Sequence, residues 1–393
     1  MIKVYWDEDG NEVNSKNPDG IINKNFDNNN WYSYINTSIT ENTHKSKWAN
    51  AKTSDGSYWV WIPRYEYKIN YKNELNKSLG GTIDVNFISI DKRVPSEDYK
   101  IHPSFEDGSN TNFMNGEWDS ELSGFWVAKY EMSMETSKES IITEKETIGN
   151  VLTSDNIKAV SKPGVTSWRY ITIGNSYTNA YNYDREKESH LMKNSEWGAV
   201  AYLTHSKYGR NEEEITINSN SSYYTGGGQN VTATTNKTQS STGNATGIYD
   251  LNGGAWERVA GYITNGNGKL ATYGKEFVER IEKDSGAYKT LSTKYSTIYP
   301  FNDLSESYEN NWSTYSELES NVYGYGDAIL ETSSSGKGVT SWNSDSSYFV
   351  YSVNTFFYRG GNYQNGDNAG IFTFSSAGGE ASKNDSFRAV LSI

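Results

Sequence analysis

The chain contains no cysteine in its 393 residues. A disulfide framework, a zinc site built on thiolates and a cysteine nucleophile are therefore excluded. Histidine is scarce as well, and the four residues are His44, His102, His190 and His205. None of them forms an H-x-x-x-E or H-E-x-x-H pair, which would place two metal ligands on one face of a helix. We expect each histidine to lie on the surface or to be satisfied within the core.

Long apolar runs are also missing. The first ten residues contain no apolar stretch of the kind found in signal peptides, and no segment approaches the ~20 apolar residues of a membrane span. Basic residues are in the minority, 36 against 49 acidic ones, and the formal net charge is −13. Such a charge repels phosphate backbones and anionic lipid head groups, so we expect no nucleic-acid partner and no membrane insertion.

Aromatic residues, by contrast, are abundant. The chain has 31 Tyr, 12 Trp and 13 Phe, an aromatic fraction of 14% that argues against disorder. Only six prolines occur, but 35 glycines and frequent Asn and Ser mark many turns. This composition predicts an aromatic-rich core in a β-rich fold and excludes an all-helical bundle.

The hydrophobic pattern divides the chain into two parts. We interpret residues 1–56 as a polar lead-in segment and residues 57–393 as one domain. Polar, irregular tracts near 210–241 and 265–347 are expected to be insertions into that domain.

Four stretches predict regular structure within the domain. Large side chains alternate along Ser57–Ile69 and again along Gly124–Glu131, which predicts two neighbouring strands. The helical spacing of Ile173, Tyr177, Ala180 and Tyr181 predicts one helix. Asn194-Ser195-Glu196 is typical of a helix start and predicts a second helix, which ends at Gly209.

Three segments in the C-terminal half carry a family resemblance. They read Glu196-Trp197-Gly198-Ala199-Val200-Ala201, then Gly247-Ile248-Tyr249-Asp250-Leu251-Asn252-Gly253-Gly254-Ala255-Trp256-Glu257, and finally Arg359-Gly360-Gly361-Asn362-Tyr363 with Ser386-Phe387-Arg388. In this order they resemble the E-W-x-x-A-A helix, the G-L-Y-D-M-x-G-N-V-W-E-W turn and the R-G-G-S-W…G-F-R ending of the formylglycine-generating enzyme family. The resemblance covers residues 57–393. It implies an α+β fold, a C-type-lectin-like domain of the formylglycine-generating enzyme type, β-rich with two main helices and long loop insertions.

The central turn is a candidate metal site. Asp250 and Glu257 are two carboxylates seven residues apart around a Gly-Gly pair, so a chain reversal there directs both toward one hard cation such as calcium. The resemblance implies the same site, with carbonyl oxygens of Gly253 and Ala255 completing it. We therefore expect a structural calcium ion. The alternative is that the two carboxylates accept hydrogen bonds from loop amides.

The catalytic chemistry of the family does not carry over. Its oxidation needs two cysteines after the R-G-G segment, and the corresponding stretch here, Asn365 to Gly370, has neither. A related iron-dependent branch of the fold uses histidines, but the four histidines of this chain lie in unrelated sequence contexts. We therefore expect a protein that is not an enzyme.

Tyrosine and asparagine cluster near the C-terminal end. We predict that five of them form one exposed ligand-binding patch: Tyr348, Tyr351, Tyr363, Asn365 and Asn368. Rigid aromatic rings beside adaptable amides are typical of recognition surfaces. Phe356 and Phe357 are expected to fill the core instead, and the alternative is that half of the aromatic residues in this region do the same.

These observations predict a non-enzymatic surface-recognition protein that binds a cell-surface glycan or protein receptor. The resemblance implies a phage virion protein for receptor binding or decoration, or a bacterial surface adhesin. Either would work on the virion or at the cell surface, within a larger virion or pilus assembly. The alternative is an enzyme of the same fold with unrecognised catalytic residues. An enzyme requires a cluster of perturbed carboxylates or histidines in its deepest pocket, whereas a binding protein does not.

Overall fold

The computed structural model describes residues 1–6, 12–13, 32–34, 46–108, 118–134, 158–227, 239–276, 278–280, 288–290, 293–301, 307–321 and 324–392. The strands in these ranges are β1 (Ile2–Trp6), β2 (Glu12–Val13), β3 (Asn50–Lys52), β4 (Tyr58–Pro63), β5 (Tyr65–Tyr71), β6 (Gly81–Phe87), β7 (Lys100–Ile101), β8 (Gly124–Ala128), β9 (Ser133–Met134), β10 (Ala159–Val160), β11 (His190–Leu191), β12 (Trp256–Ile263), β13 (Val278–Arg280), β14 (Tyr288–Thr290), β15 (Thr297–Tyr299), β16 (Lys337–Val339), β17 (Ser346–Tyr348), β18 (Phe356–Arg359), β19 (Phe374–Ala377), β20 (Asp385–Phe387) and β21 (Ala389–Leu391). The α-helices are α1 (Ile173–Tyr181), α2 (Asn194–His205), α3 (Gly268–Tyr273) and α4 (Tyr308–Asn321).

The first large sheet has the strand order β11-β21-β8-β4-β3-β1-β2. Strands β4 and β8 are antiparallel neighbours in it, with Trp59 opposite Ala128. Because successive side chains of a strand point to opposite faces, Val60 and Ile62 enter one core cluster while Trp59 enters the other. The predicted pairing is confirmed for β4 and β8, but the segment Ser57–Ile69 is not one strand: its second part belongs to β5, which lies in another sheet.

The second large sheet has the order β15-β12-β18-β19-β17-β16, with β20 pairing along β12 as well. Strand β12 begins in the central turn, β18 ends at the R-G-G segment, and β20 ends next to the last motif residue, Arg388. In the registers of these pairs Glu257 lies opposite both Arg359 and Ser386. Sheet pairing therefore brings together motifs that are more than a hundred residues apart in the chain.

Three smaller sheets complete the strand pairing of the described residues. They are β6-β5-β7, β9-β10 and β13-β14. The first of these is a hairpin in which β5 and β6 pair over their full length, from Tyr65 opposite Phe87 to Tyr71 opposite Gly81.

Both predicted helices are present. Helix α1 begins after Thr172, whose side chain accepts a hydrogen bond from the backbone N–H of Asn175 at 3.2 Å. All twelve residues of helix α2 are buried. Its first turn is held by Glu196, whose carboxylate accepts from the N–H of Lys193 at 2.8 Å. Helix α2 ends at His205, four residues before the predicted Gly209.

Two further helices, α3 and α4, lie in the tract near 265–347 that the sequence predicts as a loop insertion. The expectation of two main helices is therefore too low. Tertiary packing supplies the reason for α4: Tyr315 is buried, with its ring 5.8 Å from that of Tyr299 and 5.0 Å from that of Phe349. Sheets and helices together confirm the α+β class. Within the described residues, no helix is long and apolar enough to cross a membrane.

The described part of the predicted lead-in segment is continuous with the first sheet. Strand β1 pairs with β3, and β3 pairs with β4 of the predicted domain. Trp48 is fully buried in the main core cluster. The sheet therefore runs across the boundary placed at residue 56.

Candidate functional site

Asp250 lies in the central turn and is buried, with 2% of its surface exposed. Its backbone has φ 64°, a left-handed conformation that Asp tolerates better than most residues. The N–H of Gly226 donates to both carboxylate oxygens at 2.8 and 2.7 Å, and the Asn218 amide donates to one of them at 2.9 Å. The turn therefore satisfies this carboxylate with protein donors.

Glu257 is buried as well and forms a two-point ion pair with Arg388. The guanidinium donates from Nε at 2.8 Å and from Nη2 at 2.5 Å, one bond to each carboxylate oxygen. Charge-assisted pairs of this geometry are among the stronger hydrogen bonds in proteins. The sequence motifs gave no indication of this pair, because its two members are 131 residues apart.

Gly253 and Ala255 lie between the two carboxylates. The N–H of Gly253 donates to the carbonyl of Gly360 at 3.2 Å, and the N–H of Ala255 donates to Glu131 at 3.0 Å. Glu131 is a third buried carboxyl at this site. Its pKa is raised well above the usual range by burial and then by the charge of Asp250.

The calcium site stays a prediction. The four residues proposed as ligands lie between positions 250 and 257. Burial raises the pKa of Asp250 to about 6, and the charge of Arg388 opposes that increase. Within the described ranges, no group of three or more acidic or histidine side chains is arranged to hold a metal ion. The side-chain bonds observed here match the alternative in which the carboxylates accept from loop amides and from arginine.

Tyr348 and Tyr351 form an aromatic group on the surface. Their ring centroids are 6.1 Å apart, and Tyr308 of helix α4 adds a third ring 5.3 Å from Tyr348. The ammonium of Lys337 lies 5.1 Å from the Tyr308 ring and 5.3 Å from the Tyr348 ring. All three tyrosines are partly exposed. We call these four residues the tyrosine patch.

Tyr363, Asn365 and Asn368 lie in a second place, on the loop after the R-G-G segment. Tyr363 donates its N–H to the carbonyl of Gly254 at 2.9 Å, and its ring meets that of Tyr223 edge-on at 5.0 Å. This loop therefore packs against the central turn. The Asn365 side chain accepts from the N–H of Asn362 at 2.7 Å and shapes the loop, while Asn368 is exposed.

The sequence also predicts core positions for two phenylalanines, and core or surface positions for the histidines. Phe356 and Phe357 are fully buried. His102, His190 and His205 are buried and hydrogen-bonded to Gly326, Glu196 and Gly81, respectively. The prediction that these three histidines are satisfied in the core is confirmed. His44 lies outside the described residues.

A cavity of about 580 Å³ lies between the β5 strand and the C-terminal end of helix α4. Its lining includes Tyr67, Tyr71, Glu319 and Glu331. Lys77 and Lys100 also line it. We call it the α4 cavity. Its volume falls in the range of ordinary small-molecule sites.

Glu319 and Glu331 form a carboxyl pair in this cavity. Glu319 is 8% exposed and accepts a hydrogen bond from the N–H of Tyr325 at 2.8 Å. Burial raises the pKa of Glu319 well above its usual range, and the charge of Glu331 raises it further. The two carboxyl groups are therefore close enough to influence each other directly.

A third acid, Asp327, lies behind the pair. Its two oxygens accept from the hydroxyls of Tyr299 at 2.6 Å and Tyr315 at 2.9 Å. Burial raises the pKa of Asp327 to about 7, and the charge of Glu331 adds to the increase. The sequence analysis missed all three acids because they fall in the tract predicted as an insertion. Tyr315 and Glu319 are four residues apart, a spacing that places both on one face of a helix, and both are buried. This spacing was the signal available for a helix that presents a carboxyl to the interior.

Comparison with known proteins finds no matching family model and no similar curated protein.

Proposed function

We propose that this chain is a surface-recognition protein with a C-type-lectin-like fold of the formylglycine-generating enzyme type. It binds a cell-surface glycan or protein receptor, as a virion protein or as a bacterial adhesin. The order of the three motifs supports the fold, and so does their meeting around Glu257, Arg359 and Arg388. The tyrosine patch supports the binding function.

The tyrosine patch carries the proposal because it combines three partly exposed rings with one lysine. Partly exposed tyrosines supply apolar contact and hydrogen bonds at a low cost in side-chain entropy. Two apolar side chains close to it in the chain are also exposed, Val339 at 55% and Val353 at 39%. Exposed apolar and aromatic groups that lie together are typical of interaction surfaces.

Attachment to target cells tests this proposal. We expect Tyr348→Ala and Tyr351→Ala each to weaken binding to intact bacterial cells, or to the best ligand of a glycan array, by ~1–3 kcal/mol. Tyr363→Ala tests the second part of the predicted surface in the same way. Tyr99→Ala is the matched control, because Tyr99 is partly exposed on the segment before β7. Melting temperatures should stay close to that of the unmodified protein. Attachment that survives all three substitutions would refute the assignment.

An enzyme is the second candidate, and one observation favours it. The carboxyl pair Glu319 and Glu331 lines a cavity and has the perturbed acid that the enzyme alternative requires. In a hydrolase, two neighbouring carboxyls that share a proton can act as general acid and general base. Release of reducing ends from glycans, abolished in both Glu319→Gln and Glu331→Gln, would support this candidate. The absence of product with every glycan that the protein binds would count against it.

A further inference from the structure

The floor of the α4 cavity has unmet hydrogen-bonding capacity. Both carboxyl oxygens of Glu331 are buried and have no hydrogen-bond partner in the described residues. The hydroxyl of Tyr202 is also buried without a hydrogen-bond partner in the described residues. Its ring lies 4.8 Å from that of Tyr67, which lines the cavity. Buried polar groups of this kind are normally satisfied by water or by a ligand.

Part of the cavity lining is aromatic and apolar. Tyr71 lines the cavity with Ile69 and Leu330. The Tyr71 ring lies edge-on against Trp342 at 6.4 Å, and the Lys77 ammonium lies over the ring, 5.2 Å from its centroid. A ring fixed in this way offers a flat surface to the C–H face of a guest molecule. The guest that fits therefore has both an apolar face and several hydroxyl groups.

The charges of the cavity select against a simple ion. Lys77 and Lys100 line the cavity and have no ion-pair partner in the described part of the chain, whereas Lys68 and Asp98, which also line it, pair with each other at 3.1 Å. They would repel a polyamine or a basic side chain. The carboxyl pair at the floor would repel a small anion. A polyhydroxylated guest meets both regions, because each hydroxyl donates to the carboxylates and accepts from the ammonium groups.

We propose that the α4 cavity is a saccharide-binding site, in which Tyr71 stacks on the sugar ring and Glu331 accepts hydrogen bonds from its hydroxyls. The volume of about 580 Å³ suits one or two sugar rings. The site is separate from the tyrosine patch and does not depend on the function proposed for that patch. If both sites bind sugars, the protein binds one glycan at two sites, and the linkage of the two sites raises the overall affinity.

Binding of free sugars to the full chain tests the site. Saturation-transfer NMR would screen neutral hexoses, N-acetylhexosamines, uronic acids and N-acetylneuraminic acid, with spermidine as the cationic probe. Calorimetry would then give the affinity. We expect at least one saccharide to bind with a Kd of about 1 mM or tighter. Comparing neutral with acidic sugars shows whether the lysines contribute.

Two substitutions in the cavity and one control decide the assignment. Glu331→Gln keeps the shape of the side chain, and both it and Tyr71→Ala should weaken sugar binding by about tenfold or more. Glu317→Gln is the matched control, because Glu317 is exposed on the same helix as Glu319. Since Tyr71→Ala removes a packed ring, its melting temperature is measured as well, and Glu331→Gln alone suffices if that variant fails to fold.

Three outcomes would overturn the proposal. They are no saccharide binding in the screen, binding unchanged by Glu331→Gln, and binding of spermidine alone. Tyr348→Ala and Tyr351→Ala should leave free-sugar binding unchanged while weakening attachment to cells. The failure of one site is therefore distinguishable from the failure of the other.

Discussion

Replacing Asp327 with asparagine should remove a large part of the pH dependence of stability. Burial raises the pKa of Asp327 from 3.8 to about 7. Between these two values the folded state holds a proton that the unfolded state has released, so the free energy of unfolding falls as the pH rises. One pKa unit corresponds to about 1.4 kcal/mol, which makes the ionised carboxylate cost the folded state about 4 kcal/mol above pH 7.

The measurable part of this cost lies between pH 5 and pH 8. The protein should lose about 3 kcal/mol of unfolding free energy over this interval through Asp327 alone. Asp327→Asn is neutral throughout, and its amide can still hydrogen-bond the hydroxyls of Tyr299 and Tyr315. Relative to the unmodified protein, the variant should therefore gain about 3 kcal/mol on going from pH 5 to pH 8.

Urea denaturation followed by tryptophan fluorescence at the two pH values gives the required free energies. The difference between the two proteins reports the ionisation of Asp327 together with its electrostatic coupling to Glu319 and Glu331. Glu213→Gln is the control for the loss of one negative charge, because Glu213 is exposed. An Asp327→Asn effect of equal size at pH 5 and pH 8 would refute the assigned pKa and its origin in burial.

Local patterns in the sequence were sufficient to predict several elements of the fold. The alternation around Trp59 and around Phe125 identified two strands that prove to be neighbours. Helical spacing identified α1, and capping residues identified the start of α2. Each of these patterns is contained within about a dozen residues, and the face that it predicts to be apolar is the face that packs in the core. They sufficed for the fold class.

The interior charges could not be predicted in the same way. Glu319, Asp327 and Glu331 look in sequence like an ordinary solvated acidic stretch. Glu319 and Asp327 are buried, and Glu331 is half-buried with both oxygens buried. Glu319 and Glu331 share a cavity with Tyr67 of β5, which lies more than a hundred residues earlier in the chain. The same holds for Arg388, which reaches Glu257 only after β20 pairs with β12. Contacts between distant parts of the chain determine burial at these positions, and no periodic pattern in the local sequence indicates it.

Two further predictions concern calcium and Lys129. If the central turn binds calcium, calcium at about 100 Kd should raise the unfolding free energy by about 2.7 kcal/mol, and Asp250→Ala should abolish the gain; a melting temperature indifferent to calcium and chelator in metal-free protein would count against the site. The Lys129 ammonium is fully buried and donates to Asn50 at 2.8 Å, Ala245 at 2.6 Å and Gly247 at 2.9 Å. Lys129→Met fills the same space but leaves three buried acceptors without this donor, so it should destabilise the fold by about 3 kcal/mol in urea denaturation. Lys158→Met, at an exposed position, should change stability by less than about 0.5 kcal/mol. Equal stability of Lys129→Met and Lys158→Met would mean that the desolvation cost of the ammonium cancels its three hydrogen bonds. The hydrogen bonds of Lys129 would then make no net contribution to the stability of the fold.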